Sequence, residues 1–290
     1  MGSIAYSHGS GNAPACKSST QVFYEEADLY TDADGIIPSA LIDGRRDTAE
    51  LMELARLAES LNGVPRVALV DNGLMLWLAL QLKESQQRLV EEALREYIDQ
   101  LDRLQASGAS VAGYVGRPRN ANVLALLHLA GLRPEQVSEE NVRHSRYLGL
   151  TDRALFDQVL PPGQRSATFV NASPVNRDFK ARGHEMYFFY LNCGGPGRPE
   201  VARVEFPQWV ALDPVRLDFV HAAIVEQCRV PNGFPYVLVR AHELAVVTSQ
   251  ERRELDELVH GAMLRQGLRP EISQKAQTKQ WTGARRRHRL

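Results

Sequence analysis

The stretch RVALVDNG at residues 66–73 constrains this chain more than any other. Val67, Ala68, Leu69 and Val70 form a short apolar run with two β-branched residues, a composition that suits a strand buried on both faces. Asp71 follows the run directly, and Asn72-Gly73 is a turn signal. A carboxylate is therefore carried to the end of a buried strand, where the chain must turn. In open α/β sheets ligands gather at such strand ends, and a carboxylate there is a hard oxygen donor suited to Mg²⁺ or Mn²⁺. Asp also shapes turns with no ligand in sight. On this stretch alone both readings stand.

The surrounding pattern alternates helix and strand. Leu51, Leu54, Ala55, Ala58 and Leu61 share one face of a helix predicted over 47–61, with Asp47 and Glu50 as a capping box at its start. Asn62-Gly63 and Pro65 end it. A second helix is predicted over 83–106, followed by a strand over 111–115 and the loop Gly116-Arg117-Pro118-Arg119. That loop, two arginines beside a permissive glycine, either holds phosphate or is merely solvated. Short helices are expected over 122–132, with His128 as a packed residue, and over 152–160. The second half is β-rich: strands over 166–170, 186–191 and 201–206, the last two forming an antiparallel hairpin through the turn at 193–197. Arg203 and Glu205 fall on the face opposite Val204. Amphipathic helices follow at 217–228 and, capped by Thr248 and Glu251, to about residue 266. At the N-terminus, 4–6 reads as the stub of a strand and 7–12 as linker. A helix preceding a buried strand is the α/β pattern.

Several function classes drop out. The formal net charge of −1 over 290 residues gives no global nucleic-acid signature, although Arg285, Arg286, Arg287, His288 and Arg289 cluster at the end. Cys16, Cys193 and Cys228 are too far apart for zinc or a disulfide framework and read as reduced thiols of a cytoplasmic protein. No run is long enough to span a membrane, and the N-terminus lacks signal-peptide character. There is no P-loop, no dinucleotide fingerprint, no H-E-x-x-H and no G-x-S-x-G. Asp43, Glu50, Asp71, Glu205 and the pair His242-Glu243 remain, scattered along the chain. Such carboxylates and an imidazole can assemble a site for one or two hard metals that activates water against a phosphodiester. Their spacing does not show that they meet.

Six stretches in order supply what spacing does not: LIDGRRDTAEL at 41–51, VALVDNGLMLWLAL at 67–80, GYVGRPRN at 113–120, FFYLN at 188–192, VARVEFPQWVA at 201–211 and GFPYVLVRAHELAVV at 233–247. Together they resemble the NurA family of DNA-end-processing nucleases in its bacterial version. The resemblance implies an α/β, ribonuclease H-like mixed sheet flanked by helices, with Mn²⁺ or Mg²⁺ held by acidic residues. It implies action on single-stranded DNA and duplex ends in double-strand-break repair, beside a HerA-type hexameric DNA-translocating ATPase, as a homodimer. Carried over by position, Glu50 resembles the family's helix glutamate, Asp71 its second aspartate and His242 the histidine of its A-H motif. Arg117, Arg119, Lys275 and Lys279 are the expected DNA contacts. The expected division is an N-terminal segment over 1–20, the nuclease domain over 21–270 and a basic tail over 271–290.

Three departures qualify the resemblance. The family opens with a strand ending in D-G-S, whose aspartate is a metal ligand, and no D-G-S occurs here. The second motif reads Asp71-Asn72-Gly73-Leu74 rather than D-G-S/T-L, and the tyrosine before the A-H motif is Phe234. The expectation is an N-terminally shortened family member with impaired cleavage; the alternative is an inactive nuclease-like scaffold that binds the ATPase or DNA.

Overall fold

The computed structural model describes residues 2–6, 14–18, 25, 29–31, 35–61, 63–78, 82, 87–138, 140–141, 144–231 and 233–268. The linker expected at 7–12, and Lys275 and Lys279, lie outside them. Two compact units divide the chain, residues 1–244 and 245–290.

The first unit begins with two small antiparallel pairs, β1 (Gly2–Ala5) with β2 (Ala15–Ser18) and β3 (Tyr30–Thr31) with β4 (Gly35–Ile36). The stub read at 4–6 is thus a hairpin strand and not part of the main sheet. Helix α1 runs Ser39–Ser60, eight residues earlier than the capping-box reading placed its start. The reason is non-local. Gly44 does not end the helix; it lets Leu78 pack against it, since a Cβ there would stand 2.8 Å from Leu78 Cδ1. Asp47 and Glu50 therefore sit mid-helix, and neither is a cap.

Beyond α1 come β5 (Val67–Val70), α2 (Gln87–Ala106), β6 (Ser110–Val115), α3 (Asn122–Ala130), α4 (Asp152–Val159), β7 (Phe169–Val170), α5 (Pro174–Ala181), β8 (Met186–Asn192), β9 (Val201–Pro207), α6 (Gln208–Ala211), α7 (Pro214–Cys228) and α8 (Tyr236–Ala245). The five-stranded sheet has the order β5-β6-β9-β8-β7. β5 and β6 are parallel, as a crossover through α2 requires, and every other pairing is antiparallel. The fold is α/β with a mixed sheet flanked by helices.

Period-two alternation sends each strand's side chains to opposite faces. Ala68, Val70 and Val111 join α1 and α2 in one core with Leu51, Leu101 and Leu104. Ala112, Tyr114, Phe189, Leu191, Val204 and Phe206 meet α7 on the other face. Each fully buried Leu of this kind contributes roughly 1.5–3 kcal/mol. A third cluster packs α3 and α4 on Phe188 and Tyr190. There the buried Asp152 accepts from Val123 N at 3.0 Å and Leu124 N at 2.9 Å, at the α3 N-terminus, and from Tyr190 Oη at 2.7 Å. The second unit contains α9 (Ser249–Arg265), opened by the Thr248–Glu251 capping box that its sequence predicts.

One segment decides the site. After Asp71 the chain does not turn into a helix but crosses β6 at Gly113, where a Cβ would stand 2.5 Å from Asn72 O. Leu74 is clamped from both sides: its N–H donates to Glu205 Oε2 at 3.0 Å, and its carbonyl accepts from Tyr97 Oη at 2.9 Å. Leu74, Met75, Leu76 and Leu78 are buried.

Candidate functional site

Parallel pairing puts the C-terminal ends of β5 and β6 at one edge of the sheet. Val70 stands level with Gly113, so Asp71 and the Gly116–Arg119 loop leave that edge together. β9 runs antiparallel to β6 with Arg203 opposite Val115, which brings the β8–β9 turn to the same edge. Carboxyl ends of parallel strands are the usual place for ligands in such sheets.

Glu50, Asp71 and His242 come from three elements, and their charges are felt in sequence. Partial burial pushes the Asp71 carboxyl above the usual carboxylate range, and the nearby His242 pulls it down. Glu50 is also pushed up, first by burial and then by Asp47; Arg46 opposes this and Asp71 adds to it. Asp47 follows the same pattern, raised by burial and drawn back by Arg46. Arg46 is shared among Asp43 at 3.2 Å, Asp47 at 3.2 Å and Glu50 at 3.9 Å, all on one face of α1. One guanidinium thus faces three carboxylates, and the ionised forms of two of them, Asp47 and Glu50, are disfavoured.

Carboxylate oxygens and an imidazole are donor types that suit hard divalent cations. Among the described residues, no three His, Cys, Asp or Glu side chains stand close enough together to hold a metal ion.

Other expected residues fare differently. Glu205 is not available for chemistry. It is buried in the sheet, accepts from Arg203 Nε at 2.8 Å and from Leu74 N, and is 6% exposed. Arg203, 2% exposed, also donates to Asn122 Oδ1 at 3.0 Å and lies 3.6 Å from the Phe188 ring centroid. The alternation in VARVEF places these two on one face correctly, but that face is core and not solvent. His128 is buried with Nε2 2.8 Å from Asn141 O, as a packed histidine should be. Glu243 pairs with Arg240. Arg117 and Arg119 are exposed. Arg117 lines a hollow of about 400 Å³ with Glu200 and Phe234. Phe234 packs edge-on against Tyr114 with ring centroids 5.2 Å apart, and Tyr114 Oη donates to Gly233 O at 3.1 Å.

Two features escaped the sequence. Trp77 stands open at a second hollow of about 210 Å³ beside Asp43, Arg46 and Asp47. Its own sequence gave no sign, since every neighbour in LMLWL is apolar. The second is a relay through the buried His184, in which Trp209 Nε1 donates to His184 Nδ1 at 3.2 Å while His184 Nε2 meets the exposed Asp102 Oδ1 at 2.8 Å. It ties α2 to the start of β8 and to α6.

A family model for the NurA domain matches residues 11–247. The chain belongs to the NurA domain family. No curated protein and no solved structure matches it. NurA membership points to a nuclease of DNA repair and to a need for metal. No helix among the described residues of this NurA-domain chain is long and apolar enough to cross a membrane.

Proposed function

We propose that this chain is a metal-dependent nuclease that acts on single-stranded DNA and DNA ends in double-strand-break repair, in the cytoplasm. What supports the reading is the NurA-domain match over residues 11–247 together with the position of Asp71 at the carboxyl end of parallel strand β5. On this reading the sheet is of the ribonuclease H-like kind. Glu50 and Asp71 would hold Mn²⁺ or Mg²⁺, which when bound would supply polarisation of a phosphodiester oxygen and a lowered pKa for water. His242 would orient the attacking water or serve as a further ligand. Arg117 and Arg119 offer guanidinium forks to phosphate near the same edge, and Lys275 and Lys279 add charge from the tail. The partner is a HerA-type hexameric DNA-translocating ATPase, and the working form is a homodimer.

A second reading has its own observation. The lack of any three-donor cluster among the described residues favours a nuclease-like scaffold that docks on the ATPase or on DNA without cutting. One experiment separates the two. Labelled single-stranded DNA is incubated with the full-length chain and Mn²⁺ or Mg²⁺. The nuclease reading expects degradation that stops on chelation and in Asp71→Ala, with the variant still folded by circular dichroism. Intact DNA in every metal, with stable binding to the ATPase, selects the scaffold.

A further inference from the structure

The hollow beside α1 has an unusual wall. Asp43, Arg46 and Asp47 line one side and Asn72, Gly73 and Trp77 the other, around about 210 Å³. That is smaller than the ~300–1,000 Å³ pockets that enclose drug-sized ligands, and of a size for a single small group. Trp77 is 39% exposed, although Leu74, Met75, Leu76 and Leu78 around it are all buried. Its backbone cannot easily shift, because Leu74 is clamped by Glu205 and Tyr97 and Leu78 rests on Gly44. An indole held open on a pinned segment is preorganised to stack.

Charge decides what stacks there. Among the described residues Arg46 is the one cation lining the hollow, and Asp43, Asp47 and Glu50 already share it. Excess carboxylate repels a phosphate and does not repel a neutral heterocycle. Carboxylates only accept hydrogen bonds, which complements the N–H edges of unpaired bases. Asn72 and Gly73 directly follow Asp71, so the hollow adjoins the candidate metal residues along the chain.

The geometry points to a nucleobase subsite: Trp77 stacks on one unpaired base of a DNA strand whose backbone passes Asp71, and Asp43 and Asp47 accept hydrogen bonds from that base's edge. This rests on the nuclease reading and sharpens it. A base in a duplex has its edge occupied and both faces stacked, so the subsite selects single-stranded DNA.

The test uses the full-length chain with a chelator, so that binding is read without cleavage. The probe is a thymidine oligonucleotide carrying one 2-aminopurine, moved through each position in turn; the emission of this base falls when it stacks. Wild type and Trp77→Phe are expected to quench the probe at one position or a narrow set of positions. Trp77→Ala is expected to abolish that quenching and to bind single-stranded DNA about tenfold more weakly, with duplex binding unchanged. Trp77 is half-exposed, and a thermal melt of each variant checks the fold. Quenching and affinity in Trp77→Ala equal to wild type, in a chain that cuts DNA with Mn²⁺, overturn the subsite alone. A wild-type chain that neither cuts nor binds single-stranded DNA overturns the nuclease reading and the subsite with it.

Discussion

Two glutamates three residues apart on α1 meet opposite electrostatic fates. Glu53 receives a hydrogen bond from Arg56 and another from Lys17, which lower its carboxyl to about 2 despite some desolvation. Its folded value lies below its unfolded one, so the stability it contributes is present above the ordinary carboxylate range and is lost as pH falls toward 2. Glu50 is the reverse. Burial and the charge of Asp47 push it up, Arg46 draws it back, and Asp71 pushes again. Its folded value lies above its unfolded one, so the folded state binds the extra proton and stability falls as pH rises through that range. The penalty is complete above the folded value and absent below the unfolded one. Glu50→Gln should therefore melt at a higher temperature than wild type at neutral pH, and the gap should close as the pH is lowered through the carboxylate range. Mn²⁺ should stabilise wild type more than the variant, because a ligand that binds only the folded state shifts melting by mass action. Melts from about pH 4 to pH 8, with and without Mn²⁺, give the answer. A variant less stable than wild type at neutral pH would show that Glu50 supports the fold and is not strained by it.

At the scale of elements, the crossing after Asp71 carries both the site and the sheet. Gly113 is the point of contact, and Gly113→Ala would drive a Cβ into the Asn72 carbonyl at 2.5 Å, with Leu74 N 3.1 Å away. Backbone cannot swing aside as a long side chain does, so the expected cost is about 1–3 kcal/mol. The same shift moves Asp71, so cleavage should fall further than the folded fraction explains. Denaturant melts beside cleavage rates check this; full activity at reduced stability would mean that Asp71 is placed independently of the crossing. The crossing also shows where sequence reading stops. β5, α2, the β8–β9 hairpin and the cap of α9 were legible, because local period and capping chemistry encode them. The start of α1 was not, because Asp47 and Glu50 read as a capping box and the packing of Leu78 on Gly44 is a contact between distant parts of the chain. The burial of Glu205 was not, because alternation gives a face without saying what covers it. Glu50, Asp71 and His242 were named together by resemblance alone, since proximity between separate elements leaves no local pattern.

For the whole molecule, the formal net charge of −1 hides an asymmetry. Residues 269–290 hold seven Lys or Arg against a single Glu, which leaves the rest of the chain at −7 against that total of −1. A body of that charge, with Asp43 and Asp47 lining one hollow, repels the phosphate backbone at long range. Encounter with DNA then falls to the tail and to local guanidinium groups such as Arg117 and Arg119. Each single-strand phosphate that a cation neutralises steepens the fall of log affinity against log salt by about 0.7. Removing residues 269–290 should weaken binding of the chelator-treated chain to labelled single-stranded DNA and flatten that slope by several units. The fold should survive, since α9 ends at Arg265 and buries no residue. The two effects belong together: weaker binding with the slope unchanged would mean that the tail acts through shape, and both unchanged would mean that the acidic body meets DNA without it. At high salt the full-length and shortened chains should converge, because screening removes the repulsion from the body and the attraction of the tail alike.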